Sequence, residues 1–563
     1  SVNLASTALV GLGTSFDQLV EYPYGCTEQL TSRILPLLVL PDLAQAVGAH
    51  LPAHVADAVD EGIGKLLDHQ GGDGGFTFWG EAGKSEPWLS AYAMLAVEGA
   101  ARQGMFVPRD ARDRGAAYLR QVLDMSVPAD EGAVPAEKAR DDDDIAPSGD
   151  TRSPSEKRAR AYAELVFAAD SLATLGQADA ATLDRLFEAR THRPLFTQAL
   201  LLHAMAVAHL PVSQLDTLSQ EIGQRLRVDA ADAYADEAPT GFDDFLDSKS
   251  RTSALVLRAL LAAHPDHPLA SKLAHGLLGA REGGAWRSTQ ENVWALLALD
   301  DYRKAQESAT PNFDARVFLG GTKLGEAHFH GGSSTDQPLF AAMAQVQPAV
   351  GEALTFDVVG QGKLFYSAEL RTASTALPTK PRDAGLYVQK LVRALKPSEL
   401  AAAQAVIPKH GDLRAAPGDL VLVDLLLESA EPREQVVIDD PLPAGLEPID
   451  FTLETSAHAD RVSDGGLRGD AKHQGLSAYG AAFGTPTSTH REEHDDKVLT
   501  FLSHIEPGIY HFRYLARATT PGDFVVPPTR ASCMYAPEVW GASAATRFVV
   551  GATPPVGAVA KIP

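Results

Sequence analysis

The chain has 563 residues, enough for several domains, and 45% of them are hydrophobic, an ordinary share for globular cores. Two cysteines exclude a small disulfide-stapled fold. The formal charge of −24 argues against a nucleic-acid partner, whose phosphates it would repel, and weakly favours cationic or lysine-bearing partners.

No apolar run reaches the ~20 residues that span a bilayer. The sequence starts without methionine or a signal peptide, so a piece of a longer protein is expected, its cellular address lying upstream of Ser1.

Residues 1–305 are rich in alanine and leucine and predict helices. Trp88, Tyr92, Leu95 and Gly99 stand at helical spacing, as do Leu257, Leu260, Leu261 and His264. Ser153-Pro154-Ser155-Glu156 is a capping box with proline at the first helical position, and Ser288-Thr289-Gln290-Glu291 repeats the box before "VWALLAL". Glycine-aromatic loops recur: "GGFTFWG" from Gly74, "GFDDFLD" from Gly241 and "GGAWRSTQ" from Gly283. At about 50 residues per antiparallel pair this half holds about six pairs, which fits a ring of helical hairpins, an α/α toroid. An α-solenoid is the plainer alternative, though strict periodicity is missing. The charged stretch from "SVPADEGAV" to "DDDDIAPSGDTRSPS" interrupts the pattern and reads as a solvated loop.

After about residue 305 the period becomes two. Leu354, Phe356 and Val358 alternate, "GQGK" turns, and Leu364, Tyr366, Ala368 and Leu370 alternate again, which predicts a hairpin. Leu420 to Leu427, Val498 to Leu502 and Tyr510 to Ala516 continue the strand pattern, and turns such as "PLPAGLEP" indicate antiparallel sandwiches. The break at "LPTKPRDAG" divides this half, giving expected domains of 1–305, 306–380 and 381–550 with a tail at 551–563.

The chemistry centres on "EYPYGCTEQLTSR", Glu21 to Arg33. A lone cysteine is most often core filling. If a helix begins near Cys26, however, Gln29 lies on the same side, with β-carbons about 5–6 Å apart. A helix N-terminus also favours the thiolate. A thiolate held against the Gln29 carboxamide would displace ammonia and close an internal thioester through Thr27 and Glu28. Such an acyl group survives only when shielded from water, and Tyr22, Tyr24, Phe76, Phe78 and Trp79 are candidate shields.

"YPYGCTEQLTSR" resembles the thioester motif of the α2-macroglobulin and complement thioester family in its bacterial form. "GGFTFWG", "EPWLSAYAML" and "GGAWRSTQENVWALLAL" resemble successive parts of that family's thioester domain. "APGDLVLVDLLL", "VVIDDPLPAGLEP", "EEHDDKVLTF" and "GDFVVPPTRASCMYAPEVWG" resemble its last macroglobulin-like domain, so the similarity runs in order along essentially the whole chain. The resemblance implies a multidomain architecture: an α/α toroid thioester domain followed by β-sandwich domains, the remainder of a CUB domain and a macroglobulin-like one. It also implies a protease inhibitor rather than an enzyme, bacterial and periplasmic, with an anchor, if any, upstream of Ser1. The expected partners are proteases, caught through lysine amines after bait cleavage upstream, and the preceding macroglobulin domains. No cofactor and no metal is implied. Met534 and Tyr535 are expected to cover the thioester with Tyr22, against the plainer reading as ordinary sandwich residues. Cys533 is expected as a buried thiol, with a disulfide to Cys26 after opening as the alternative.

The sequence departs from relatives that carry a histidine about a hundred residues after the thioester. None lies between His69 and His192, so acylation of amines rather than hydroxyls is expected. The rival enzyme reading is a class II terpene cyclase using Asp141 to Asp144, whose acid would need a dry cavity. A cysteine protease pairing Cys26 with His203, His209 or His264, and a thioester-free interaction module, are weaker rivals. "HREEH" (His490 to His494) matches a zinc-site pattern only by chance.

Overall fold

The structure is a computed structural model. It describes the chain except residues 8–10, 21, 23–24, 40–54, 81–83, 129–152, 238–241, 243–244, 307–310, 331–336, 371–377, 396–413, 450–488 and 552–563. The acidic run at 141–144 therefore lies outside the described residues. The chain divides into two units, Ser1–Arg371 and Thr372–Pro563.

The first unit is mainly helical. Two kinds of helix alternate along it, and burial explains why. Pro87–Arg102 buries Trp88 through Met94 without a break, and Leu195–Val207 buries Leu195 through Leu202. Helices apolar on all sides belong inside. Of the other kind, Val55–Asp68 buries only Val59, Gly62, Ile63 and Leu66, and Val212–Arg225 only Leu215, Leu218, Ser219 and Ile222. That three-to-four spacing is one stripe facing the core, with the other face in water.

The inner helices pack in sequence order: Thr27–Val39 on Pro87–Arg102, then Pro154–Thr174, Leu195–Val207, Lys249–Ala263 and Thr289–Gln306, which returns to Thr27–Val39. The predicted cap at Ser153 is a full capping box, with the Glu156 amide donating to Ser153 Oγ and the Ser153 amide to Glu156 Oε2.

Strands follow the helices. Asn312–Leu319 lies between Thr322–His330 and Leu354–Gln361, all antiparallel. A second sheet places Val2–Ala5 between Gln337–Leu339 and Phe365–Ala368. Val2 and Leu4 share a core with Phe313, Ala315, Val317, Ala327 and Phe329. Residues 2–5, inside the stretch read as helical, thus pair with strands that follow the helices.

The hairpin expected across 354–370 does not form. Leu354–Gln361 pairs with Asn312–Leu319, and Phe365–Ala368 pairs with Val2–Ala5 in the other sheet. Alternation fixes which face a side chain takes and leaves the partner open. The crossing is permitted by Gly360, at φ +127°, where a β-carbon would stand 2.3 Å from the Asn312 carbonyl oxygen.

In the second unit, Tyr387–Leu395, Leu420–Ser429, Gly508–Ala518 and Leu446–Pro448 form a four-stranded sheet. A six-stranded sheet runs in the order Thr489–Glu493, Lys497–Ile505, Arg433–Pro441, Arg530–Cys533, Ala536–Ala542 and Arg382–Ala384. Inward residues of both, among them Val423, Leu425, Tyr514, Val436, Ile438 and Leu502, share one core. Among the described residues no helix is long and apolar enough to cross a membrane.

Candidate functional site

Cys26 is the N-cap residue of Thr27–Val39: its carbonyl accepts the first helical bond, from the Leu30 amide at 2.9 Å. The Cys26 amide donates to Gln29 Oε1 at 3.2 Å. This is the returning half of a capping box, with cysteine where serine or threonine usually stands. Cys26 and Gln29 are each 1% exposed, so both side chains lie out of solvent beside the helix start.

The next residue is held by the loop after the helix Val55–Asp68. The Thr27 amide donates to the Phe78 carbonyl at 2.8 Å, and its hydroxyl donates to the Thr77 carbonyl at 2.5 Å. That hydroxyl has one hydrogen, so the 2.8 Å contact with His69 Nδ1 is a donation from the imidazole N–H. The loop also closes on itself, with the Thr77 amide donating to the His69 carbonyl and the Gly71 amide to that of Gly75. Gly74, at φ +91°, permits the close fold, since a β-carbon there would lie 2.5 Å from the Arg114 carbonyl oxygen.

Glu28 points the other way, fully buried. Its carboxylate accepts from Ser32 Oγ at 2.5 Å, from Thr289 Oγ1 at 2.9 Å on each oxygen and from Gln290 Nε2 at 2.8 Å. Gln290 Oε1 in turn accepts from Arg251 Nε at 3.1 Å and Trp294 Nε1 at 2.9 Å. Ser32 Oγ also meets the Tyr92 hydroxyl at 2.9 Å, and burial, then the nearby Glu28 charge, push that phenol up. Arg251 is fully buried, and Asp247 lies 3.7 Å from its guanidinium with its carboxyl pushed up to about 6 by burial.

Of the expected shields, Phe76 is fully buried, whereas Phe78, Trp79 and Tyr22 are half-buried. The Tyr22 carbonyl accepts from Arg33 Nη2. Phe78 meets Trp88 edge-on at 6.0 Å. Tyr24 lies outside the described residues. Met534 and Tyr535 form the turn between Arg530–Cys533 and Ala536–Ala542 in the second unit, the Met534 amide donating to the Gln435 carbonyl at 2.9 Å. Cys533 is a buried thiol, pushed up to about 11 by burial.

Two of the rival bases are engaged elsewhere, His203 Nδ1 with Asp170 at 2.7 Å and His264 Nε2 with Asp216 at 3.2 Å. "HREEH" lies on and just past the strand Thr489–Glu493, where Glu492 takes His490 at 3.5 Å and His494 at 3.1 Å.

The sequence reading named Thr27 and Glu28 only as ring members and missed their partners, along with His69, Thr77 and Arg251. Their signal was position: Thr27 and Glu28 fill the ring that a Cys26–Gln29 bond would close, and the "STQE" box carries the partners of Glu28.

A helical body with a buried Cys-x-x-Gln at a helix start, joined to antiparallel sandwiches, defines the class. Residues 385–538 match the family described as the bacterial alpha-2-macroglobulin MG10 domain. The chain is 26% identical over 557 residues to the alpha-2-macroglobulin homolog of Nostoc, covering 98% of this chain and 26% of that protein. It is 27% identical over 551 residues to alpha-2-macroglobulin of Escherichia coli, covering 94% of this chain and 28% of the relative. The fold matches the native E. coli alpha-2-macroglobulin structure that runs from domain MG7 to the C-terminus, with TM-score 0.67, 22% identity, and 98% and 77% of the two chains covered. It likewise matches Salmonella alpha-2-macroglobulin reacted with methylamine, with TM-score 0.67, 22% identity, and 98% and 31% covered. The chain is thus homologous to the bacterial α2-macroglobulins, and it spans about a quarter of the length of these curated relatives.

Proposed function

We propose that this chain is the covalent-capture region of a bacterial protease inhibitor, acting through an internal Cys26–Gln29 thioester. The observation that carries this reading is the buried contact of the Cys26 amide with Gln29 Oε1. As the Cys26 thiolate attacks Gln29 Cδ, negative charge grows on Oε1, where the Cys26 N–H and the helix N-terminus stabilise it. The C–N bond then breaks, and the amide nitrogen leaves as ammonia with the thiol's proton. An incoming lysine amine attacks the same carbon, forms an amide with Gln29 and frees the Cys26 thiol. Loop 69–80 and the half-buried aromatics keep water from the acyl carbon until the site is uncovered by bait cleavage upstream.

Reaction of the Salmonella relative with methylamine supports an amine-reactive site on this fold. Incubation with a fluorescent primary amine is expected to label Gln29 in the wild type and not in Cys26→Ala. Equal labelling of the two would reject the thioester. With His69 Nδ1 committed to Thr27 and no histidine from 70 to 191, methylamine is expected to add far faster than glycerol, measured by mass. Equal incorporation of both would reject direct amine transfer.

The helical body is read as an α/α toroid, supported by the closed succession of inner helices. Residues 306–380 are read as the remainder of a CUB sandwich. The pairing of Val2–Ala5 with strands beyond the helices is what insertion of a toroid into a sandwich leaves behind. A structure of the longer protein in which strands upstream of Ser1 join no sheet with 312–368 would contradict this. Residues 381–550 are read as macroglobulin-like, with Met534 and Tyr535 as cover. Tyr535→Gly is expected to speed loss of amine reactivity in water, and an unchanged rate rejects that role. A periplasmic site of action completes the proposal, and recovery of the native protein only from cytosol would refute it.

A further inference from the structure

Far from Cys26 in sequence, the hairpin of Asn312–Leu319 and Thr322–His330 gathers two imidazoles and a carboxylate. The register sets Asn312 opposite His330 and Asp314 opposite His328. Residues two apart share a face, so these four side chains project together, while Phe313, Ala315, Ala327 and Phe329 fill the core on the other side.

One ligand atom each from Asp314, His328 and His330 lie within 4.8 Å of one another. His328 Nδ1 is 2.7 Å from Asp314 Oδ1, and His330 Nε2 is 3.4 Å from the same oxygen. His330 Nδ1 donates to Asn312 Oδ1 at 2.7 Å, which fixes the tautomer and leaves Nε2 as a lone pair facing Asp314. Glu326 Oε1 stands 3.8 Å from His328 Nε2, on the far side of that ring. Each imidazole thus turns one nitrogen toward a common point, and His330 has its other nitrogen held by an oxygen acceptor, the outer arrangement that metal-bound histidines require, whereas Glu326 stands beyond hydrogen-bond reach of His328.

A simple ion pair would need only one of these rings. Ligand atoms of a tetrahedral zinc site lie about 3.3 Å apart, given bonds near 2.0–2.1 Å. The His330 to Asp314 separation already has that value, and His328 needs to open by about half an ångström.

We propose that Asp314, His328 and His330 form a surface site for a borderline divalent cation such as Zn²⁺, with solvent in the remaining position. Two nitrogens and one oxygen favour zinc, nickel or copper over magnesium and calcium. The bound ion would clip two neighbouring strands of the first unit together. The sequence reading passed over the site because "HFH" and an aspartate fourteen residues upstream match no helical or loop metal motif.

Calorimetric titration of the full chain with ZnCl₂ at neutral pH tests it. The expected result is one equivalent bound in the micromolar range, weakened about tenfold or more in His328→Ala, His330→Ala and Asp314→Ala. Asn312→Ala is expected to weaken binding with all three ligands intact, and His490→Ala to leave it unchanged. No binding, binding unaffected by the three ligand variants, or equal loss in His490→Ala overturns the assignment. The side chains project from the face opposite the core, and circular dichroism confirms that each variant is folded before titration.

Discussion

At Thr27 one side chain settles how the site is covered. Its hydroxyl donates to the Thr77 carbonyl and receives the His69 N–H, so the loop is tied to the residue between sulfur and carboxamide. Valine matches threonine in shape and makes neither bond. A net hydrogen bond is worth about 1 kcal/mol, so Thr27→Val, which loses two, is expected to expose the site about thirtyfold more often. The measurement is spontaneous release of the Cys26 thiol in buffer without amine, and an unchanged rate would show that the loop is held by other contacts. At this scale the sequence singled out Cys26 and Gln29 as a candidate pair, from spacing and from a family motif, and the structure places both at one helix start. The roles of Thr27, His69 and Thr77 were not legible, because they depend on a loop more than 40 residues away folding back onto the helix start.

At the scale of elements, Glu28 joins the first inner helix to the last, through Thr289 and Gln290 of Thr289–Gln306. Removing a buried carboxylate takes the acceptor from Thr289 and Gln290 at once, while Ser32 keeps its contact with Tyr92. Glu28→Ala is therefore expected to destabilise the helical body by about 3 kcal/mol, followed by urea denaturation with circular dichroism. A loss under about 1 kcal/mol would mean that water takes over the donors.

In the second unit, His504 faces Glu434 across paired strands, with Nδ1 to Glu434 Oε1 at 2.6 Å and Nε2 to Glu506 Oε1 at 3.1 Å. Burial alone would lower this imidazole, but the two carboxylates raise it above the ordinary 6.5. A raised folded pKa stabilises fully below the unfolded value and loses that contribution as pH climbs through the folded one. The sandwich is thus expected to lose some stability from about pH 6.5 upward. His504→Gln should flatten that slope in thermal melts, and an identical slope in the variant would remove His504 as its source.

For the molecule as a whole, hydrophobic period separated a helical stretch from strands at about residue 305, because 3.6-residue and two-residue patterns come from local geometry. Pairing was not legible. The 354–370 stretch alternates correctly yet feeds two sheets, and residues 2–5 join strands more than 330 positions away. The metal-like cluster was hidden for the same reason, since its three residues meet only through strand register.

The claim on which the account stands is that Cys26 and Gln29 are joined. Intact mass spectrometry of freshly purified, untreated chain tests it most directly. The mass is expected to fall about 17 Da below that of the encoded polypeptide, and methylamine is then expected to add about 31 Da while exposing one new thiol at Cys26. A chain at its full encoded mass, with the Cys26 thiol already titratable and no gain from methylamine, would contradict the account.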